Sequence, residues 1–422
     1  MSMSITNYTR ILVLLMALLS SEFVQSQNYQ GFHFKKARRK KLKRSFSQYN
    51  NLIIIPVRIN GSKPFNFILD TGVGNTLITD PSLALALDLP IFRKLEVSGV
   101  ARQNRLKAHV SNLQSIEVFK DIIATKQYVI VLDEDVLNLS GYAGVPIHGI
   151  IGYDLFSKFI VKVNYDRRKL IFYNPQRFRY RKKKKQEVLP ITIESKKPML
   201  QAKIQGEKPS DKTSVKLILD TGAGHALLLY KDSSPHINLP AKTVESHLGA
   251  TLSGNLVGKL GRLKQLQLGR FTLSQIITSY PDSASYVSMK NFTPRNGNIG
   301  LGIIKRFHTT IDYPNQRLII KPNHHFKEPF EYNRVGMEII AKAPAYKTYY
   351  VAHLRKNSPA MKAGLKQGDQ ILAIDKKMVN SMTITEVYGR LYDNKKKTNT
   401  VLVYARRGRE FIVATLLLTN TL

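Results

Sequence analysis

The chain writes Asp-Thr-Gly twice, each time at the end of an apolar run: "FNFILDTGVGN" at 65–75 and "VKLILDTGAGH" at 215–225. The second Asp follows the first by 150 positions. A second pair of segments keeps nearly the same spacing. "GIIGYDLFSKFIVKVNYDRRKLIF" (149–172) aligns without gaps on "GNIGLGIIKRFHTTIDYPNQRLII" (297–320). Gly149 meets Gly297, Gly152 meets Gly300, Phe159 meets Phe307, Tyr165 meets Tyr313 and Leu170 meets Leu318. Repetition over such a distance means one domain written twice, so the fold must contain two matched lobes.

Each copy reads mostly as strands. "LIIIPVRIN", Gly61 and "PFNFILD" form two β-branched and aromatic runs around turn chemistry. "VKVNYDRRKLIFY" (161–173) and "TTIDYPNQRLIIK" (309–321) read as hairpins turning at "DRRK" and "PNQR", and short helices are expected at "YDLFSKF" and "LGIIKRF". Residues 50–176 form the first lobe and 187–328 the second, with a basic linker at 177–186.

Asp70 and Asp220 follow buried strands, so they emerge on the floor of the fold rather than on a solvated loop. Gly72 and Gly222 allow tight turns that bring backbone N–H groups toward the acids. A pseudo-twofold axis would set the two carboxyls side by side, where both cannot ionise and one proton is shared. The shared titration then belongs to the pair. Such a pair suits hydrolysis of a peptide bond: the ionised member takes a proton from water and the protonated member polarises the carbonyl. Thr71 and Thr221 are expected to bond across the axis through their hydroxyls and hold the turns in register. An isolated Asp in this context would be a turn-capping acid; the matched repetition has no purely local cause. The histidines, His225, His236, His247, His308 and the His324-His325 pair, show no metal-ligand spacing, and neither metal nor cofactor is expected.

The paired turns, with Ile150-Ile151-Gly152 and Asn298-Ile299-Gly300 downstream, resemble the pepsin and retropepsin superfamily of aspartic peptidases over residues 50–320. The resemblance implies two retropepsin-like β lobes on one chain and a catalytic dyad of Asp70 and Asp220, supported by Thr71, Gly72, Thr221 and Gly222. Val73 and Ala223 stand where pepsin-like enzymes carry a hydroxyl, which predicts activity at mildly acidic to neutral pH. Asn298 replaces an expected apolar residue. The flap candidates are the hairpins at 97–110 and 250–261.

The third unit of the chain differs in kind. "NSPAMKAGLKQGDQILAID" (357–375) reads as a capped short helix, a Gly-Asp turn and a buried strand, followed by a helix in "TITEVYGRLYDN" and closing strands. Residues 329–422 resemble a PDZ domain, a small α/β fold. The resemblance implies capture of extended C-terminal peptides, with Val335, Gly336 and Met337 as the carboxylate loop. The alternative use of the same fold is packing against the lobes.

Composition bounds the setting. The chain has no Cys, which removes disulfides and thiolate chemistry, and a formal charge of +36. Arg10, "ILVLLMALL" and Val24-x-Ser26 read as an export signal over 1–26, giving a periplasmic or secreted protein. Residues 27–49 form a basic leader. Its run "KKARRKKLKR" (35–44) and "RFRYRKKKK" (177–185) fit solvated linkers or an exposed edge strand. The expectation is therefore an exported, monomeric aspartic endopeptidase acting on polypeptides, with no specific nucleic-acid partner and at most peripheral membrane contact. Its basic surface favours anionic partners in a salt-dependent manner. The rival reading is a catalytically inactive peptide-binding protein on the same folds.

Overall fold

A computed structural model of the protein describes residues 31–97, 106–251, 254–290, 294–392, 399–419 and 421–422. The expected export signal lies outside them. Among the described residues no helix is long and apolar enough to cross a membrane. The fold is mainly β: two lobes built from a nine-stranded and a thirteen-stranded sheet, and a C-terminal six-stranded module.

The duplication is visible strand by strand. In the first lobe Leu52–Ile59 pairs antiparallel with Phe65–Leu69, which pairs parallel with Gly149–Ile151 in the register Phe67 with Gly149. In the second, Lys197–Gln205 pairs with Lys212–Leu219, which pairs parallel with Gly297–Ile299 in the register Leu217 with Gly297. The apolar runs that end in Asp thus lie in sheet interiors, with Phe67, Leu69, Leu217 and Leu219 buried. Close packing makes the downstream glycines obligatory. A Cβ on Gly297 would lie 1.8 Å from the Leu228 carbonyl oxygen.

The lobes share one sheet. Ile160–Asn164 of the first pairs antiparallel with Phe307–Asp312 of the second, Val161 opposite Ile311. Each then pairs with its own hairpin partner, Lys169–Tyr173 and Arg317–Pro322. The outermost strands of this interlobe layer are Glu187–Glu194 and Lys41–Ser45.

This last strand corrects the expected domain boundary. Residues 33–49 are not a leader ahead of the first lobe but part of it. His33–Phe34, Lys41–Ser45 and Ser47–Tyr49 all pair into the lobe sheets. Phe32, Phe34, Leu42 and Phe46 enter the core. The strand is the counterpart of Glu187–Glu194, and matching two-residue turns follow both. Asn50-Asn51 has φ of 44° and 66°, and Ser195-Lys196 has φ of 47° and 64°. Positive φ at both central residues is the twist-matched hairpin turn. The repeat therefore begins near Lys41, and the basic residues decorate an edge strand, one of the two placements that their pattern allowed.

The C-terminal module has its own core around Val335, Met337, Ile339, Tyr349, Ile384, Val387 and Val403. Ser358 caps the short helix Pro359–Lys362, accepting from the Met361 N–H at 3.3 Å. Thr383 and Glu386 form a reciprocal cap on Ile384–Leu391. The module is docked on both lobes. The first-lobe helix Leu139–Ala143 packs on the strand Met337–Lys342, and the Asn50 N–H donates to Thr385 Oγ1 at 3.2 Å. From the second lobe, His247 Nδ1 lies 2.9 Å from Glu338 Oε2, and its ring stacks on His353 at 4.0 Å.

Candidate active site

The strands Phe65–Leu69 and Lys212–Leu219 deliver Asp70 and Asp220 to the interlobe axis. Each backbone N–H is anchored to the adjacent parallel strand: Asp70 to the Ile151 carbonyl and Asp220 to the Ile299 carbonyl, both at 2.9 Å. The next residues lock the two turns together. The Thr71 N–H donates to Thr221 Oγ1 and the Thr221 N–H to Thr71 Oγ1, both at 3.0 Å. The hydroxyls then donate onward across the axis, Thr71 to the Leu219 carbonyl at 2.6 Å and Thr221 to the Leu69 carbonyl at 3.0 Å. Both threonines are buried, so these four bonds are made without competition from water.

Above this lattice the carboxyls meet. The Gly72 N–H donates to Asp70 Oδ1 at 2.6 Å and the Gly222 N–H to Asp220 Oδ1 at 3.0 Å. Asp70 also hydrogen-bonds with the Asp220 carboxyl. The crowding shows at Gly222, where a Cβ would fall 2.2 Å from Asp70 Oδ2. Asp70 is buried and Asp220 half-buried, so the pair keeps one side toward solvent. Burial, followed by the charge of Asp220, pushes the Asp70 carboxyl well above its ordinary range. The sequence-predicted dyad residues and their four supports are thus brought together at one point.

The surroundings of the two acids differ, and this asymmetry was not read from the sequence. Asn298 Nδ2 donates to Asp220 Oδ2 at 3.1 Å, and Arg295 Nε donates to Asn298 Oδ1 at 3.0 Å. Asn298 is therefore a polar second layer on the acid rather than a packing defect. Arg295 also lies over the Tyr230 ring at 5.7 Å. Lys197 adds a second largely buried cation, held below its ordinary pKa by burial and the Arg295 charge and drawn back up by both acids. Burial likewise lowers His225, which feels the Asp220 charge and whose Nε2 has no partner. In the first lobe the positions equivalent to Lys197, Arg295 and Asn298 are Leu52, Ile147 and Ile150, members or neighbours of an aliphatic cluster. Asp220 thus accepts from an amide beside two cations, whereas the matching first-lobe positions are aliphatic. Aligning 147–150 on 295–298 contained this signal as two apolar-to-polar exchanges.

The flap candidates exist as hairpin arms. Arg93–Val97 pairs with Leu106–Val118, and Thr243–Thr251 pairs with Gly254–Leu268. Their tips, 98–105 and 252–253, lie outside the described residues.

The expected carboxylate loop is placed before the edge strand Met337–Lys342, but its donor is spent. The Gly336 N–H donates to Asn333 Oδ1 at 2.8 Å, and the Val335 and Met337 side chains are fully buried. The strand edge beside it is also satisfied internally. Tyr388 Oη accepts from the Ile339 N–H at 3.1 Å and donates to the Ile339 carbonyl at 2.8 Å. Tyr392 Oη donates to the Met337 carbonyl at 2.7 Å. Between this strand and the Ile384–Leu391 helix, the module's own tyrosines thus occupy the strand edge.

Comparisons with known proteins match two parts of the chain. Residues 55–155, which include the first Asp-Thr-Gly turn, match the aspartyl protease family model. Residues 350–406 match the PDZ domain model. The chain thus carries an aspartyl protease-like domain and a PDZ domain. Among solved structures it is similar to an aspartic proteinase from Irpex lacteus, at 14% identity and a TM-score of 0.43, over 68% of this chain and 99% of that one. No curated protein matches the chain.

Proposed function

We propose that the protein is an exported aspartic-type endopeptidase that hydrolyses polypeptides with Asp70 and Asp220. The observation that carries this reading is the crossed Thr71–Thr221 lattice, which fixes two hydrogen-bonded carboxyls on the interlobe axis. A structural turn acid has no need of a second acid aimed at it from another lobe.

The asymmetry assigns the roles. Asp70, pushed upward by burial and then by the Asp220 charge, holds the proton in this reading. Asp220, which accepts from Asn298 beside the Arg295 and Lys197 cations, serves as the base in this reading. In the reaction, Asp220 removes a proton from water as the water oxygen bonds to the scissile carbonyl carbon. Asp70 gives its proton to the carbonyl oxygen, so a neutral gem-diol forms. As the C–N bond breaks, Asp220 gives the proton it took from water to the departing nitrogen and Asp70 takes one from a gem-diol hydroxyl, so the pair returns to one proton. Because burial raises Asp70, the protonated member persists to higher pH than an ordinary Asp would allow, which supports activity at mildly acidic to neutral pH. The PDZ domain serves in this reading as a bracket on both lobes. Recruitment of substrate C-termini requires Tyr388 and Tyr392 to leave the edge of Met337–Lys342.

The test is digestion of an unfolded protein by wild type, Asp70→Asn and Asp220→Asn. Loss of general acid–base assistance should lower turnover by about 10²–10⁴-fold in each variant. Equal cleavage by all three eliminates the reading, and absence of cleavage by all three leaves the inactive peptide-binding alternative.

A further inference from the structure

The two basic runs, 35–44 and 177–185, are separated by more than a hundred residues in sequence, yet the fold makes them one surface. Strand Lys41–Ser45 pairs with Lys169–Tyr173, whose C-terminal end leads directly into the second run. The Asn174 N–H donates to the Lys40 carbonyl at 3.0 Å, and Arg177 Nη1 donates to the Arg38 carbonyl at 2.8 Å. In the first run Lys36, Arg38, Lys40, Lys41 and Lys43 are exposed, and in the second every Lys and Arg is exposed. The acids beside them are already engaged. Asp121 pairs with Arg39 and Arg44, and Glu117 with Lys35 at 2.6 Å.

Protection of a sheet edge explains the cations of the strand itself. It does not explain the seven Lys and Arg of 177–185, which lie outside any strand. From this we infer that the cationic edge is a docking surface for an anionic lipid bilayer, independent of whether the dyad is active.

One observation favours lipid headgroups over nucleic acid. The aromatic residues within the second run are not free to stack on bases. Phe178 packs on Tyr173 at 4.9 Å, and Tyr180 lies under the Arg317 guanidinium at 5.1 Å. What remains is a field of exposed point charges, which suits headgroups better than base recognition.

The test is partition of the full chain onto vesicles of phosphatidylcholine with about one-third phosphatidylglycerol, at about 0.15 M salt. Vesicles of phosphatidylcholine alone give the baseline for the apolar N-terminus. The variant Lys182→Gln/Lys183→Gln/Lys184→Gln/Lys185→Gln should weaken binding to the anionic vesicles by about fivefold per lysine, roughly several hundredfold in all. A control removes the same charge from exposed PDZ positions, with Lys362, Lys366, Lys376 and Lys377 each changed to Gln. It should bind within about twofold of wild type if only the patch makes contact. Equal losses in the two variants would mean that net charge alone attracts the bilayer, and the docking surface would be withdrawn. It would also be withdrawn if anionic and neutral vesicles bound alike. Tighter, patch-dependent binding of a DNA duplex under the same conditions would assign the surface to nucleic acid instead.

Discussion

Replacing Asn298 by Leu tests whether the second lobe tunes the dyad. The substitution keeps the branch at Cγ and restores the apolar character of the first-lobe counterpart, Ile150. It removes one amide donor from Asp220 Oδ2 at 3.1 Å and one acceptor from Arg295 Nε at 3.0 Å. A hydrogen bond to a charged group contributes about 1.5–3 kcal/mol. The length of this one favours the lower end, about 1.5 kcal/mol, which corresponds to about one pH unit. Because the bond stabilises the ionised form of the pair, its loss demands a higher pH to create that form. The acid limb of kcat/KM should therefore move upward by about one unit, with the alkaline limb much less affected. The assay is cleavage of a quenched peptide between about pH 3 and 8, the range in which carboxyl pairs titrate. An unchanged acid limb with reduced kcat would show that Asn298 only packs the site. A downward shift would overturn the assignment of Asp220 as the base.

Other consequences follow from the same geometry. Thr71→Val or Thr221→Val leaves a buried N–H without its acceptor and removes an onward donation; each should cost about 1–3 kcal/mol in chemical denaturation. Their double-mutant cycle should show strong coupling because the bonds are shared. Gly222→Ala should abolish cleavage, since its Cβ would sit 2.2 Å from Asp70 Oδ2; activity near wild type would refute the observed approach. Asp70→Asn should gain stability relative to wild type as pH rises. Asp70 has a raised folded-state pKa, so the native state holds a proton that the unfolded chain has released. Wild type accordingly loses stability between the ordinary Asp pKa and the raised value, and the amide does not. Parallel melting-temperature profiles for the two proteins would contradict the shift.

The dyad was legible because duplication turns an ambiguous local motif into a constraint between distant residues. Asp70, Thr71, Gly72 and their second-lobe equivalents could be named with their roles because both copies keep identical chemistry. The first strand of the repeat was hidden by its composition. In "KLKRSF" only Leu42 and Phe46 enter the core, and the charged residues between them read as a solvated run. The Asn50-Asn51 turn was the better signal, since adjacent asparagines tolerate positive φ at both positions. The role of Asn298 was also out of reach. A single polar exchange reads as weaker packing until the carboxylate above it is placed. The occupied PDZ strand edge depends on Tyr388 and Tyr392 reaching a strand about fifty residues earlier, a contact that no local pattern specifies.

The most direct test of the account is a carbon-13 titration of the Asp70 and Asp220 carboxyl carbons, assigned with the Asp70→Asn and Asp220→Asn variants. One proton should remain on the pair across mildly acidic pH, leaving in a step well above the ordinary Asp range, with Asp70 reporting the larger protonated fraction. Two carboxyls that ionise together and independently near their ordinary range would contradict the shared proton on which the proposed hydrolysis depends.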